Sequence, residues 1–214
     1  IILVTGPTGS GKTTTLYSCL QELNTPNVNI ITCEDPVEFQ VAGINQVQIK
    51  TDVGLTFAAA LRSILRQDPD ICLVGEIRDA ETAEISVKAA LTGHLVLSTL
   101  HTNNAAGAII RLVDLGIEPF LLASSVILTQ AQRLYRKLCT TCKKSSEIPK
   151  DILKSNHIAE DFFKDVQTYT SVGCPKCNNL GYKGRAAIME VLPVDADVRD
   201  LVLHNANGAE IRKK

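Results

Sequence analysis

The chain has 214 residues, 45% of them hydrophobic and 21% charged, and a formal net charge of −1 at pH 7. That is enough chain for one or two ordinary domains with a real core. The balanced charge, the absence of Trp and the scarcity of Tyr and Phe argue against a protein that grips nucleic acid or an anionic surface through bulk charge or base stacking.

In chain order, "IILV" (1–4) reads as a first strand. It has no polar alternation, as expected of a strand buried on both faces in a parallel sheet. "KTTTLYSCLQEL" follows, with Leu16, Cys19, Leu20 and Leu23 at helical spacing. "NII" (29–31), "ICLV" (71–74) and "LVLS" (95–98) repeat the strand pattern. Between the first two lies a long polar stretch, 34–55, in which "NQVQIK" reads as an added edge strand. "TFAAALRSILRQ" predicts a helix capped by Thr56, with Phe57, Leu61 and Leu65 on one face, and "AETAEISVKAAL" another capped by Asp79. Further helices are predicted over 104–115, stopped by Gly116, and from about Pro119 to Leu138. Strands alternating with helices imply right-handed βαβ crossovers in a parallel sheet, with ligands at the carboxyl ends of the strands. Cys19, Cys33 and Cys72 sit in apolar segments and read as small core residues.

Between the first strand and helix, Gly6-Pro7-Thr8-Gly9-Ser10-Gly11-Lys12-Thr13 fits G-x-x-x-x-G-K-[ST] in the strand–loop–helix setting that motif needs. Small residues let backbone N–H groups wrap phosphates, and the helix start adds partial positive charge. Lys12 would reach the β- and γ-phosphates of ATP, Thr13 would ligate Mg2+, and Thr14 would extend the first helical turn beside them. The strand over 71–74 runs into "GEIRD". Gly75 stands where phosphate-loop enzymes of this type carry an Asp, and Glu76 follows it. "TCEDPVEF" brings Glu34, Asp35 and Glu38 to the same sheet edge. Two carboxylate groups facing one phosphate loop suit metal coordination and activation of water; capping or pairing with Arg is the competing reading, above all for Asp79 and Asp35. Ser98, Thr99 and His101 end the fourth strand of this series, where they could sense the γ-phosphate or serve structure alone.

"GPTGSGKTTTL", "EDPVE", "LRSILRQDPD", "GEIRDAETAE" and "TGHLVLSTLHTN", in this order, closely resemble the secretion ATPases of type II secretion and type IV pilus assembly, the GspE/PilB group. The resemblance covers nearly the whole chain. It implies a RecA-like P-loop ATPase, α/β with a mainly parallel sheet flanked by helices. It carries the catalytic glutamate to Glu38, with Glu76 assisting at Mg2+ and water, and makes His101 part of the site. Arg62, Arg66 and Arg78 fall in matching segments as arginines that reach phosphate or a neighbouring subunit, or that pair with local acids. It further implies a homo-oligomeric, hexameric ring, cytoplasmic and peripheral to the inner membrane, acting on platform proteins of the machine without direct nucleic-acid contact.

Cys139-x-x-Cys142 and Cys174-x-x-Cys177, 31 residues apart, offer four thiolates for a closed structural Zn2+ site; a pair of redox dithiols is the alternative. The intervening "PKDILKSNHIAEDFFKDV" absorbs the long separation as a helical excursion. The expected organisation is therefore an ATPase core over 1–137, a zinc subdomain over 138–178 and a C-terminal strand and helix segment over 179–214. By resemblance the quartet marks assembly-type rather than retraction-type members, and the family's additional N-terminal domain makes this chain a motor-domain fragment, with "GAEIRKK" an unfinished helix and weak activity expected in isolation. A RecA-like nucleic-acid motor and a small-molecule phosphoryl transferase are the other classes sharing the loop. Salt-sensitive binding of single strands, or phosphate appearing on a small acceptor, would mark them.

Overall fold

The computed structural model describes residues 1–213; Lys214, the last residue of the expected C-terminal segment, lies outside them. The chain forms two compact units, Ile1–Arg133 with Ile188–Lys214, and Leu134–Ala187. The first contains β1 (Ile2–Thr5), α1 (Lys12–Leu23), β2 (Ile30–Glu34), β3 (Asn45–Gln48), α2 (Phe57–Ile64), β4 (Ile71–Val74), α3 (Ala80–Leu91), β5 (Leu95–Leu100), α4 (Ala105–Asp114), α5 (Pro119–Ser125) and the start of β6 (Leu128–Leu138). The second carries β7 (Lys144–Ser145), α6 (Lys150–Ser155) and β8 (Tyr169–Thr170). The chain returns to the first unit along β9 (Tyr182–Pro193) and ends in α7 (Ala196–Leu203) and α8 (Gly208–Ile211).

The sheet has the order β3-β2-β4-β5-β1-β6-β9. From β3 through β6 every pairing is parallel, with Leu73 opposite Leu97, and Leu3 opposite Ser98 and Thr129. Because strand side chains alternate, one apolar run feeds both faces. Leu3, Ile31, Cys33, Cys72 and Val74 pack with Leu61, Ile64 and Val87 on one side. Val4, Ile30, Ile71, Leu73 and Leu97 pack with Leu16 and Leu20 of α1 on the other. The expected caps are present, Thr56 accepting from Ala59 and Asp79 from Thr82, and Asn104 caps α4 by accepting from Gly107. "NQVQ" is the edge strand β3. Among the described residues no helix is long and apolar enough to cross a membrane.

Two expectations are corrected. Cys19 is exposed, because the buried stripe of α1 runs through Leu16, Tyr17 and Leu20 and leaves it on the outer face. The helix expected over 119–138 stops at Ser125. Residues 128–138 are strand β6, whose first residues pair with β1, Leu128 opposite Ile2 through Ala131 opposite Thr5. Sheet hydrogen bonds to β1 override a sequence rich in helix formers.

Candidate functional site

The carboxyl ends of β1, β2, β4 and β5 deliver the site. After Thr5 the chain turns through Gly6–Gly11 into α1. Gly6, with φ 141°, cannot be replaced, since a Cβ there would lie 2.3 Å from the Gln132 carbonyl. Pro7, Thr8 and Gly9 are exposed at the crest, while Ser10 is buried with a hydroxyl that has no partner among the described residues. The start of α1 has no side-chain cap at Gly11, as at α5 and α6, whereas α2, α3, α4, α7 and α8 each carry one; like α2 and α4, it has no acid in its first turn. Its first N–H groups are thus open at the end of the glycine loop, as a phosphate site requires. Lys12 donates to the carbonyls of Gly6 and Pro7 at 3.0 and 3.2 Å, which places its ammonium inside the loop. Burial lowers its pKa, partly offset by the negative charge of Glu76. Thr13 and Thr14 are exposed on the first turn.

Glu76 is the centre of the charged cluster. Its side chain is 13% exposed, pairs with Arg78 and lies 3.3 Å from His101 Nε2. Burial alone would raise its pKa; Arg78 and His101 outweigh this and hold the carboxyl below its usual range. The turn that carries Glu76 is stitched to β5. Ser98 donates to the Val74 carbonyl at 2.7 Å, Thr99 to that of Gly75 at 2.7 Å, and Ile77 N–H to that of Thr99 at 3.0 Å. Ser98 and Thr99 thus use their hydroxyl protons in joining strands, in keeping with the structural one of the two readings that the sequence leaves open. His101 is pinned from both sides, because Thr5 Oγ1 donates to the Leu100 carbonyl at 2.9 Å and accepts the Thr102 N–H at 2.8 Å. Gly75 has a steric reason: a Cβ would stand 3.2 Å from the Cys33 carbonyl and 3.4 Å from the Phe57 ring.

The glutamates after β2 divide. Glu34 is 3% exposed and surrounded by donors: the Tyr17 hydroxyl, Thr32 Oγ1 at 2.6 Å and Gln46 Nε2 at 3.1 Å. Glu38 is exposed on the following loop. That loop is held by Val37 N–H on Gln48 Oε1 and Val41 N–H on Gln46 Oε1, both 2.8 Å, and by Phe39 packing edge-on against Tyr17. Arg62 pairs with Glu81 at 2.5 Å, on the faces of α2 and α3 and outside the Glu76 cluster. Arg66 is exposed and makes no ion pair among the described residues.

Gln132 and the Tyr17–Glu34–Gln46 group were missed from sequence. Gln132 falls in the stretch read as helix. The signal there was the alternation of Gln130 and Gln132 with Thr129 and Ala131, a period of two.

In the second unit the four cysteine sulfurs lie within 4.8 Å of one another. Cys139–Cys174, Cys142–Cys177 and Cys174–Cys177 are 3.9, 3.8 and 3.7 Å apart, and all four thiols are free. Four thiolates about 2.3 Å from one tetrahedral zinc ion would be spaced by roughly 3.8 Å, so the quartet fits Zn2+, whereas a disulfide needs about 2.05 Å. Backbone N–H groups of Cys174 and Gly181 point at Cys177 Sγ, both at 3.2 Å, as second-sphere donors to a thiolate would.

A family model described as "Type II/IV secretion system protein" matches residues 1–214. The type IV pilus assembly ATPase PilB of Myxococcus xanthus is 58% identical over 215 residues, which span all of this chain and 38% of that protein. The type II secretion system ATPase E of Vibrio cholerae is 54% identical over 214 residues, spanning all of this chain and 42% of that protein. Among solved structures, the pilus retraction motor PilT with bound ADP matches 99% of this chain and 51% of its own, with a TM-score of 0.71 and 32% identity.

Proposed function

Because the chain belongs to the Type II/IV secretion system protein family, we propose that it is the ATP-binding and hydrolysing motor portion of a machine that drives type II protein secretion or type IV pilus assembly. One observation carries the reading: a phosphate loop with an uncapped helix start and Lys12 folded into it shares its strand ends with the Glu76 cluster and the loop of Glu38. Greater identity to assembly and secretion ATPases than to the retraction motor favours extension over retraction.

In this proposal the backbone N–H groups from Thr8 to Thr14 and the Lys12 ammonium hold the phosphates of ATP. Thr13 and the ionised Glu76 hold Mg2+, which neutralises charge on the phosphates when bound. Glu38, whose carboxylate has no ion pair or hydrogen bond among the described residues and which is mounted on a braced loop, takes a proton from the water that attacks the γ-phosphate. His101 and Arg78 set the orientation of Glu76. The Arg78 and Arg62 side chains are themselves half or more exposed, Arg78 paired with Glu76 and Arg62 with Glu81. Exposed pairs contribute about 0–1 kcal/mol, so either arginine can exchange its local acid for phosphate, within one subunit or across a ring. Zn2+ in the cysteine quartet is structural, since four thiolates leave no open coordination position. The assembled protein is a hexameric ring at the cytoplasmic face of the inner membrane, pushing on platform proteins.

The test uses the full-length protein. Lys12→Ala abolishes phosphate release, and Glu38→Gln lowers kcat by about 100-fold or more while nucleotide still binds. Turnover per subunit rises with protein concentration as the ring forms. Normal turnover by Lys12→Ala would overturn the ATPase reading of this loop, and normal turnover by Glu38→Gln would move the base elsewhere.

A further inference from the structure

We propose that Gln132 of β6 is a positioning residue for nucleotide binding, a buried amide that sets the shape of the phosphate loop. Its side chain is enclosed, the residue being 3% exposed, and both ends are engaged. Nε2 donates to the Ser10 carbonyl at 2.8 Å, within the loop. Oε1 accepts from Thr15 Oγ1 at 2.8 Å, on the first turns of α1, and from Gln130 Nε2 at 3.1 Å. The amide cannot be reversed, because the Ser10 carbonyl can only accept. One side chain therefore fixes both the last turn of the loop and the helix that follows it.

The backbone at the same residue completes the clamp. The Gln132 carbonyl occupies the space a Cβ on Gly6 would need. The loop is thus pressed at its first residue by the strand's main chain and tied at Ser10 by the strand's side chain. Ser10 N–H in turn closes onto the Pro7 carbonyl at 3.2 Å. The span from Gly6 to Ser10 is closed on itself and referenced to β6 at two points. A loop that binds through backbone amides depends on their directions, and ordering it before the ligand arrives removes that cost from binding. The loop amides grip phosphate in the ground state and the transition state alike, so loosening them weakens binding more than chemistry.

The inference rests on the phosphate-loop reading above, and the experiment separates the two. In the full-length protein, kcat and KM for ATP and the Kd of a fluorescent ADP analogue are measured for Gln132→Leu, Gln132→Glu, Thr15→Val, Thr15→Ser and Lys12→Ala. Gln132→Leu leaves the Ser10 carbonyl without its donor, and Gln132→Glu replaces that donor with an acceptor. Both raise KM and Kd by about tenfold or more, the scale of one lost buried hydrogen bond, with kcat within about twofold. Thr15→Val, which leaves Gln132 in place, raises KM and Kd by a smaller factor, and Thr15→Ser, which keeps the hydroxyl, restores them. Thr15→Val therefore reports even if the Gln132 variants do not fold. Unchanged KM and Kd alongside a lowered melting temperature would make Gln132 a packing residue and overturn the proposal. So would Thr15→Val behaving as Thr15→Ser. Loss of binding in Lys12→Ala with none of these effects removes the role of Gln132 alone, whereas intact binding in Lys12→Ala removes the loop reading beneath it.

Discussion

Replacing Tyr17 by Phe removes a single hydroxyl from the group that braces the Glu38 loop. Tyr17 is 2% exposed, and its ring lies 4.5 Å from that of Phe39 at 72°, a contact Phe preserves. What goes is the donor to Glu34, together with a weaker acceptor for Gln46 Nε2 at 3.3 Å; Glu34 then keeps Thr32 at 2.6 Å and Gln46 at 3.1 Å. A hydrogen bond to a charged group is worth roughly 1.5–3 kcal/mol, so a loss of about 2 kcal/mol is expected. For a chain of this size that lowers the melting temperature by roughly 4–8 °C. Thermal and urea denaturation of the wild type and Tyr17→Phe measure it. The pH dependence gives a second check with a definite sign. Burial first, and the Glu34 carboxylate next, push the Tyr17 phenol from its ordinary 10 up to about 12. A pKa raised on folding means this contribution is complete below pH 10 and is lost as pH climbs through 12. The gap between wild type and Tyr17→Phe should be flat from neutral pH to about 10 and shrink above it. A gap below about 0.5 kcal/mol at neutral pH would show that Glu34 does not depend on this donor.

Gly75→Ala should destabilise the protein by about 1–3 kcal/mol, since the new Cβ presses on the Cys33 carbonyl and the Phe57 ring. Gly75→Asp, despite supplying the acid usual in other phosphate-loop enzymes, should cost more and leave turnover no higher; a urea midpoint equal to wild type for Gly75→Ala would refute the packing argument. Thiol titration of the zinc-loaded native protein should find Cys19 reactive and the others protected. Burial encloses Cys33 and Cys72 and raises their thiols to about 12 and 11. Removing the metal with a strong chelator should expose the four cluster cysteines as well, while rapid reaction of those four before chelation would contradict a closed thiolate site.

Sequence patterns reached far where local chemistry decides structure. The glycine loop, the caps at Thr56 and Asp79, and the buried strands could be read directly because each depends on residues close together in the chain. The stretch 126–138 could not. Leu128, Ala131, Leu134 and Leu138 recur at helical spacing among good helix formers, yet the pairing partner that makes them a strand is Ile2–Thr5, more than a hundred residues away. Cys19 failed for a smaller reason. An apolar residue beside Leu20 looks buried until the helix is rotated onto Leu16, Tyr17 and Leu20. The acids after β2 were visible as residue types, but nothing local shows that Glu34 is enclosed by Tyr17, Thr32 and Gln46 while Glu38 remains exposed.

The division between Glu34 and Glu38 follows from where β2 ends. Glu34 is its last residue, still paired in register with Gln48, so its side chain remains within the layer between sheet and α1. Beyond it the backbone leaves the sheet, and Glu38 has no neighbouring strand to enclose it. Glu76 lies just past the end of β4, where hydrogen bonds to β5 hold the turn while the carboxylate stays accessible to Arg78 and His101. Position relative to the strand end thus separates an enclosed carboxylate that braces the structure from the exposed Glu38 and from Glu76, held at the strand end by exposed partners. Gly75 belongs to the same geometry. At the step between strand and turn a Cβ on Gly75 would stand 3.2 Å from the Cys33 carbonyl and 3.4 Å from the Phe57 ring, a crowded place for a side chain, and the next residue, Glu76, carries the acid. The turn stitched to β5 presents the acid from Glu76, beside this crowded step.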